Sequence, residues 1–270
     1  MCPNCRAFIS TDDKICPYCE MKLGPKAAVS REASSGLIAG FIPHAGFTTF
    51  IILLINFGLY AATVVVSMKL GNDGAVMDLD GNTLIRFGAK FTPALAAGQW
   101  WRLVTAGFLH GGLIHIFMNS WALFSVGAQV EETYGTARYL TLYFLSTVIG
   151  FYASAYFSPS ISVGASAALF GLIGAMIAAG MRSNSAMGSA IRAQYTQWVI
   201  YMIVIGLLPI FNIDTAAHIG GLAAGFALAW IMDAPRAAPQ WTDTLWRIAA
   251  GASLALTVLS FALMLRFVLA

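Results

Sequence analysis

Charged residues are scarce in this sequence. Of its 270 residues only 10% are Asp, Glu, Lys or Arg, while 59% are hydrophobic. Soluble domains carry about 25% charged residues, so the composition excludes an ordinary soluble protein and indicates a polytopic membrane protein. The net charge of +3 is small, and the basic residues are scattered, with no stripe that would suit a phosphate backbone. We therefore expect no nucleic-acid partner.

Two further features are missing from the chain. The amino terminus lacks a basic stretch followed by an apolar core, so we expect no cleavable secretory signal and insertion directed by the spans themselves. Cysteine is absent beyond residue 19. What cysteine there is forms two C-x-x-C pairs, Cys2 with Cys5 and Cys16 with Cys19.

These two pairs have the spacing of a zinc ribbon. Two tight turns that face each other supply four thiolates to a tetrahedral zinc ion, and residues 1–23 are too few to build a core without metal. The pattern predicts one structural zinc ion bound by Cys2, Cys5, Cys16 and Cys19. Two disulfides or a redox C-x-x-C are the alternatives. Residues 24–46, with Gly24-Pro25 and a serine-rich stretch, are predicted to be a linker.

Seven apolar segments occupy residues 47–270. A hydrocarbon layer about 30 Å thick is crossed by about 20 apolar residues. The predicted spans are residues 47–68, 112–130, 139–157, 164–181, 198–211, 215–232 and 248–270, of which the fifth is short. Residues 69–111 are expected to lie at the membrane interface, with Trp100, Trp101 and Arg102 anchored at headgroup level. An ordinary folded loop is the alternative for this stretch.

Seven spans place the two ends of the chain on opposite sides of the membrane. With the amino terminus in the cytoplasm, ten of the 15 Lys and Arg residues lie inside, as the positive-inside rule requires. The five outside are Lys69, Arg86, Lys90, Arg102 and Arg266. This orientation also puts the cysteines in a reducing compartment, where metal thiolates persist and disulfides do not.

A lone serine stands among small residues at the start of the fourth predicted span. Ser166 alone is compatible with helix packing, because serine is common in transmembrane helices and bonds its own i−4 carbonyl. His218 in the sixth predicted span favours chemistry, since an ionisable group inside a membrane is costly. A histidine satisfied by a neighbouring carbonyl is the alternative. Gly221, nearly one turn further on, lets a neighbouring helix approach.

Two hydrogen-bond donors share one face of the second predicted span. His115 and Asn119 are spaced i, i+4. A nucleophile, a base and two donors are the components of acyl transfer, and alternating crossings put all four groups at similar depth in the outer leaflet. Asp214, four residues before His218, is expected to cap the helix start. Orientation of the imidazole is its other possible role.

Five ordered motifs resemble the rhomboid intramembrane serine proteases over roughly residues 85–232. They are Trp101-Arg102, His115-x-x-x-Asn119, Glu131-x-x-x-Gly135, Gly164-x-Ser166 and Ala217-His218-x-x-Gly221. Two positions depart from the family's most familiar form. Ala167 follows the nucleophile in place of Gly, and Phe170 stands where Tyr is often found. Neither departure removes a reacting group.

The resemblance implies an all-α polytopic membrane protein, with a rhomboid-like bundle of six core transmembrane helices plus one C-terminal helix, here preceded by the zinc ribbon. It implies peptide-bond hydrolysis by a Ser166-His218 dyad without a catalytic cofactor. His115 and Asn119 would hold the oxyanion. The implied supporting residues are Gly164, Phe170, Gly221, Trp101 and Arg102.

The expected partners are the lipid bilayer and single-span substrates with small residues and a helix-weakening segment near the outer surface. The expected location is a bacterial inner membrane. A catalytically inactive rhomboid-like protein that binds membrane clients is the alternative, although both Ser166 and His218 are present. A channel or carrier is disfavoured because no inverted repeat is visible.

Overall fold

The structure is a computed structural model that describes residues 46–183, 185–206, 213–232 and 240–269, together with Ile15 and Met21. The chain divides into two units, Met1–Phe41 and Ile42–Ala270, and the described residues belong almost entirely to the second. The predicted zinc ribbon and most of the predicted linker lie outside the described residues.

Regular secondary structure in the described part is helical. In chain order the helices are α1 (Phe47–Lys69), α2 (Gly81–Arg86), α3 (Thr92–Ala96), α4 (Arg102–Thr105), α5 (Leu113–Tyr134), α6 (Thr136–Phe157), α7 (Ser166–Arg182), α8 (Ala186–Gly206), α9 (Thr215–Ile231) and α10 (Gln240–Leu269). A 3-10 turn at Ala106–Phe108 follows α4. The all-α prediction is confirmed for the described residues.

Several of these helices are apolar enough to cross a membrane. Among the described residues four meet that condition by length and composition, namely α1, α5, α6 and the Trp241–Leu269 part of α10. Helices α7 and α9 are apolar but shorter. Large side chains such as Phe117 and Trp121 are exposed on α5, as expected of a surface that faces lipid. These features indicate a multi-pass membrane protein, and the exact number of seven spans stays a prediction.

Three loop predictions were wrong in extent. Helix α8 begins at Ala186, whereas the fifth predicted span begins at residue 198. Residues such as Ala, Met, Arg and Gln favour helix whatever their polarity, and a span prediction based on hydropathy misses them. Helix α5 continues to Tyr134 and α6 starts at Thr136, so the interruption between the second and third predicted spans reduces to Gly135, which has a φ of 77°. Helix α10 starts at Gln240, whereas the seventh predicted span begins at residue 248.

The segment between α1 and α5 folds back into the protein. Trp101 is 2% exposed and Arg102 is 4% exposed, so the expectation that these two residues anchor at headgroup level is wrong. The Arg102 guanidinium donates to the carbonyl oxygens of Ile85 at 2.6 Å and Ala89 at 3.1 Å. Trp100, the third predicted anchor, is 44% exposed. These contacts fold part of residues 69–111 against the protein, and the location of this stretch at the membrane interface stays a prediction.

Helix α7 occupies the centre of the bundle and packs most closely against α9. Small residues permit the approach: a Cβ added to Gly225 would lie 1.9 Å from the carbonyl oxygen of Gly171, and one added to Gly221 would lie 2.1 Å from that of Ala167. Without side chains at these positions the two backbones come into direct contact. The first turns of α7 and α9 are therefore held side by side.

Candidate active site

Ser166 and His218 meet where α7 and α9 begin. The Ser166 hydroxyl oxygen lies 2.8 Å from the His218 Nε2 atom, within hydrogen-bond distance. Ser166 is the first residue of α7, and His218 lies in the first turn of α9 with 8% of its surface exposed. The structure thus brings together the two residues that the sequence placed 52 positions apart.

The start of α9 is fixed by Asp214. One carboxylate oxygen of Asp214 accepts from the backbone N–H of Ala217 at 3.1 Å, and the other accepts from the Ser154 hydroxyl on α6. The Asp214 carbonyl accepts from the backbone N–H of His218 at 3.1 Å. The predicted capping role is confirmed. The Asp214 side chain thus ties the start of α9, which carries His218, to the neighbouring helix α6.

The Phe170 ring packs against the His218 imidazole. Its ring stacks on the His218 ring with centroids 4.2 Å apart and an interplanar angle of 16°. Phe170 lies one helical turn after Ser166, so both residues reach His218 from the same face of α7. The structure therefore places this implied supporting residue directly on His218. Stacking uses the ring alone, so the hydroxyl of the tyrosine often found at this position is not needed for it.

His115 and Asn119 lie against the loop that precedes Ser166. A Cβ added to Gly164 would stand 2.7 Å from His115 Nε2 and 3.7 Å from Asn119 Nδ2. Gly164 also has a φ of 126°, which side chains disfavour. The His115 Nδ1 atom accepts from the backbone N–H of Gly111 at 3.3 Å. In a neutral ring the proton is therefore on Nε2, the atom that faces Gly164.

Ala167, which stands in place of the glycine of the familiar motif, fits because a glycine on α6 leaves room for it. Ala167 is completely buried. A Cβ added to Gly150 on α6 would lie 2.9 Å from the Ala167 Cβ. The absent side chain at 150 therefore accommodates the methyl group at 167. The alanine at position 167 therefore does not prevent the contact between Ser166 and His218.

Two predicted supporting residues lie away from the Ser166-His218 pair. Trp101 packs on Phe267 of α10 with ring centroids 5.4 Å apart, and the Arg102 guanidinium lies 4.7 Å from the Trp101 ring centroid. Burial lowers the pKa of Arg102 to about 10. These residues fold the segment that leads to α5, and their effect on the site is indirect.

Sequence reasoning missed His110 as part of this region. The residue is completely buried, and its ring meets that of His115 edge to face with centroids 5.2 Å apart. Burial lowers the pKa of His110 well below its ordinary value, so the ring is neutral beside His115. Its place just before the second predicted span could have signalled a shared role, but no spacing rule predicts a contact between rings in a loop and a helix.

A rhomboid domain profile matches residues 97–235, slightly more than half of the chain. The chain belongs to the rhomboid family. This rhomboid is 40% identical over 158 residues to the rhomboid protease GluP of Bacillus subtilis, an alignment that covers 57% of this chain and 30% of GluP. It is 36% identical over 149 residues to rhomboid-like protease 3 of Toxoplasma gondii, with 54% and 57% covered.

A plant relative gives a similar result. Over 155 residues the chain is 39% identical to RHOMBOID-like protein 6, mitochondrial, of Arabidopsis thaliana, with 56% of this chain and 50% of that protein covered. This rhomboid thus spans less than two thirds of the length of each of these relatives. The matched region contains Ser166 and His218, together with both proposed donors on α5.

Proposed function

We propose that this rhomboid is an intramembrane serine protease that hydrolyses peptide bonds of single-span membrane proteins near the outer membrane face. The observation that carries the proposal is the 2.8 Å contact between the Ser166 hydroxyl and His218 Nε2 in a bundle of apolar helices. The relatives named as proteases support the same activity. An inactive client-binding protein would have no need of this contact.

In the proposed reaction Ser166 is the nucleophile. Its oxygen attacks the scissile carbonyl carbon while His218 Nε2 takes the hydroxyl proton. The imidazolium then gives that proton to the leaving amine, and the carbon–nitrogen bond breaks to leave an acyl-enzyme. His218 next takes a proton from a water molecule, whose oxygen attacks the ester. The proton returns to Ser166 as the carboxylic acid product leaves.

The proposed oxyanion site consists of Asn119 Nδ2, His115 Nε2 and the backbone N–H of Ser166. Gly164 supports it, since only the absence of a side chain there lets the two side-chain donors approach the loop before the nucleophile. Asn119 uses one amide hydrogen on the His115 carbonyl, at 3.1 Å. The second amide hydrogen is the one assigned to the oxyanion.

The proposed orientation has a cytoplasmic amino terminus and an outer carboxy terminus, in a bacterial inner membrane. It rests on the distribution of Lys and Arg. The proposed substrates carry small residues at the cleavage site, because a narrow helix bundle admits an unwound strand with small side chains more readily than bulky ones.

Cleavage of a reconstituted substrate tests this proposal. Purified protein in liposomes is mixed with a single-span reporter, and the products are sequenced by mass spectrometry. A cut within or beside the span, at the end that faces the same side as α7's first residue, is expected. A folded protein that retains the reporter without cutting it would favour the inactive client-binding alternative.

Asn119→Ala is expected to lower kcat by about 10² to 10³, the usual effect of removing one oxyanion donor. The midpoint of thermal unfolding should change little. Ser125→Ala is the matched control, because Ser125 is on the same helix and its exposed hydroxyl donates to the Trp121 carbonyl of that helix. Wild-type kcat in Asn119→Ala, or a fall explained wholly by unfolding, would remove the oxyanion role.

We also propose that residues 1–23 bind one structural zinc ion through Cys2, Cys5, Cys16 and Cys19. Four thiolates complete a tetrahedral shell and leave no position for a reacting water. Elemental analysis should find one zinc per chain in the full protein and none after Cys2→Ser together with Cys16→Ser. Proteolysis should persist without the metal. Absence of zinc in the intact protein would contradict the proposed metal site. Loss of proteolysis in a folded zinc-free variant would contradict a purely structural role for the ion.

A further inference from the structure

Lys90 is an enclosed lysine in the loop between α2 and α3. The residue has no exposed surface, although an ammonium is costly to bury without partners. Its Nζ atom donates to the carbonyl oxygens of Ser158 at 2.7 Å and Ser160 at 2.8 Å. Burial lowers the pKa of Lys90, and the attraction of the Asp214 carboxylate opposes that change.

The main chain of Lys90 adds a second pair of contacts. Its N–H donates to the Ser162 carbonyl at 2.9 Å, and its carbonyl accepts from the Ser162 N–H at 3.1 Å. Four hydrogen bonds therefore hold Ser158, Ser160 and Ser162, which are alternate residues of the segment between α6 and α7. Ser158 is the C-cap of α6, where unpaired carbonyls favour a cation.

The segment held by Lys90 leads directly to the nucleophile. Two residues beyond Ser162, the Gly164 N–H donates to the Ala106 carbonyl at 2.9 Å. Gly164 is the residue against which His115 and Asn119 lie. Any shift of this segment would therefore move the backbone of the proposed oxyanion site and of Ser166.

We propose that Lys90 is a positioning residue, which fixes the Ser158–Gly164 segment so that Ser166 and the oxyanion donors stand in reacting geometry. The inference rests on the proposed protease function. Lys90 itself touches neither Ser166 nor His218 in this arrangement. It acts through the carbonyl groups of the segment.

Lys90→Met tests the role, because methionine fills a similar volume without any donor. We expect kcat for the single-span reporter to fall by about 10- to 100-fold, the order of loss that a displacement of about 1 Å can cause, with KM nearly unchanged. The rate constant for Ser166 labelling by a small fluorophosphonate should fall by a similar factor. That reagent needs the nucleophile and the oxyanion donors but no extended substrate contacts.

Two variants control the measurement. Lys69→Met removes an exposed lysine at the end of α1 and should leave both rates unchanged. Lys90→Arg keeps a cation with several donors and should recover most of the lost kcat. If Lys90→Met does not fold, Lys90→Gln carries the test, since its shorter neutral amide cannot reach both carbonyls and should lower both rates together.

Three outcomes would overturn the inference. The first is wild-type kcat per folded molecule in Lys90→Met. The second is a raised KM with an unchanged labelling rate, which would make Lys90 a substrate contact. The third is a wild-type protein that neither cuts the reporter nor reacts with the fluorophosphonate, which overturns the proposed function as well. The first two leave the proposed function intact.

Discussion

Ser166→Ala should reduce cleavage of the single-span reporter by about 10⁶-fold, and His218→Ala should cause a loss of the same order. Loss of the serine or histidine of the subtilisin triad lowers kcat by a factor of this order. Both variants lose the 2.8 Å contact between hydroxyl and imidazole, and the dyad acts as a unit. The measurement is the initial rate of product formation in liposomes.

The double variant identifies a true dyad. Because neither residue works without the other, Ser166→Ala combined with His218→Ala should be no slower than either single variant. Ser253→Ala is a suitable control, since that hydroxyl donates to the Ala249 carbonyl of its own helix. Substantial activity in a folded Ser166→Ala protein would rule out the proposed nucleophile.

Gly225→Val should destabilise the bundle by about 3 kcal/mol or more, the upper end of the range for overpacked cores. A Cβ at 225 would lie 1.9 Å from the Gly171 carbonyl oxygen and 2.6 Å from its Cα. Backbone atoms cannot rotate away as a side chain can, so α7 and α9 must separate. The free energy of unfolding in detergent measures the effect, and the residual fold should have lost the contact between Ser166 and His218.

Gly251→Val supplies the comparison for this change. It places the same side chain in helix α10, where an added Cβ meets nothing within 4 Å. Valine is not worse than glycine in a helix interior, so its stability should match that of the wild type. Equal stability of the two variants would mean that the close approach of α7 and α9 does not hold the bundle together.

The sequence predicted most of the long helices, and a close approach between two of them, better than it predicted the loops. Gly221 indicated a close approach of two helices, and its neighbour across the interface proves to be the Ala167 backbone. Runs of apolar residues also located most of α1, α6, α7 and α9. These features depend on local pattern and on residue size, which a single sequence records.

The segment between α1 and α5 was harder to predict, because its structure depends on distant partners. A tryptophan beside an arginine is typical of a membrane interface, and nothing local distinguishes that case from Trp101, which is buried against α10. Lys90 is the extreme example. Its carbonyl partners are 68 and 70 residues away, and a lysine in a polar loop is ordinarily exposed.

Reaction of the detergent-solubilised protein with a fluorophosphonate, followed by mapping of the adduct by peptide mass spectrometry, tests the central claim most directly. The reagent forms a stable bond to a serine only where a base and oxyanion donors activate it. We expect one adduct per chain, on Ser166, and its disappearance in both Ser166→Ala and His218→Ala. A folded protein that remains unmodified, or that carries its adduct on a different serine, would contradict the assignment.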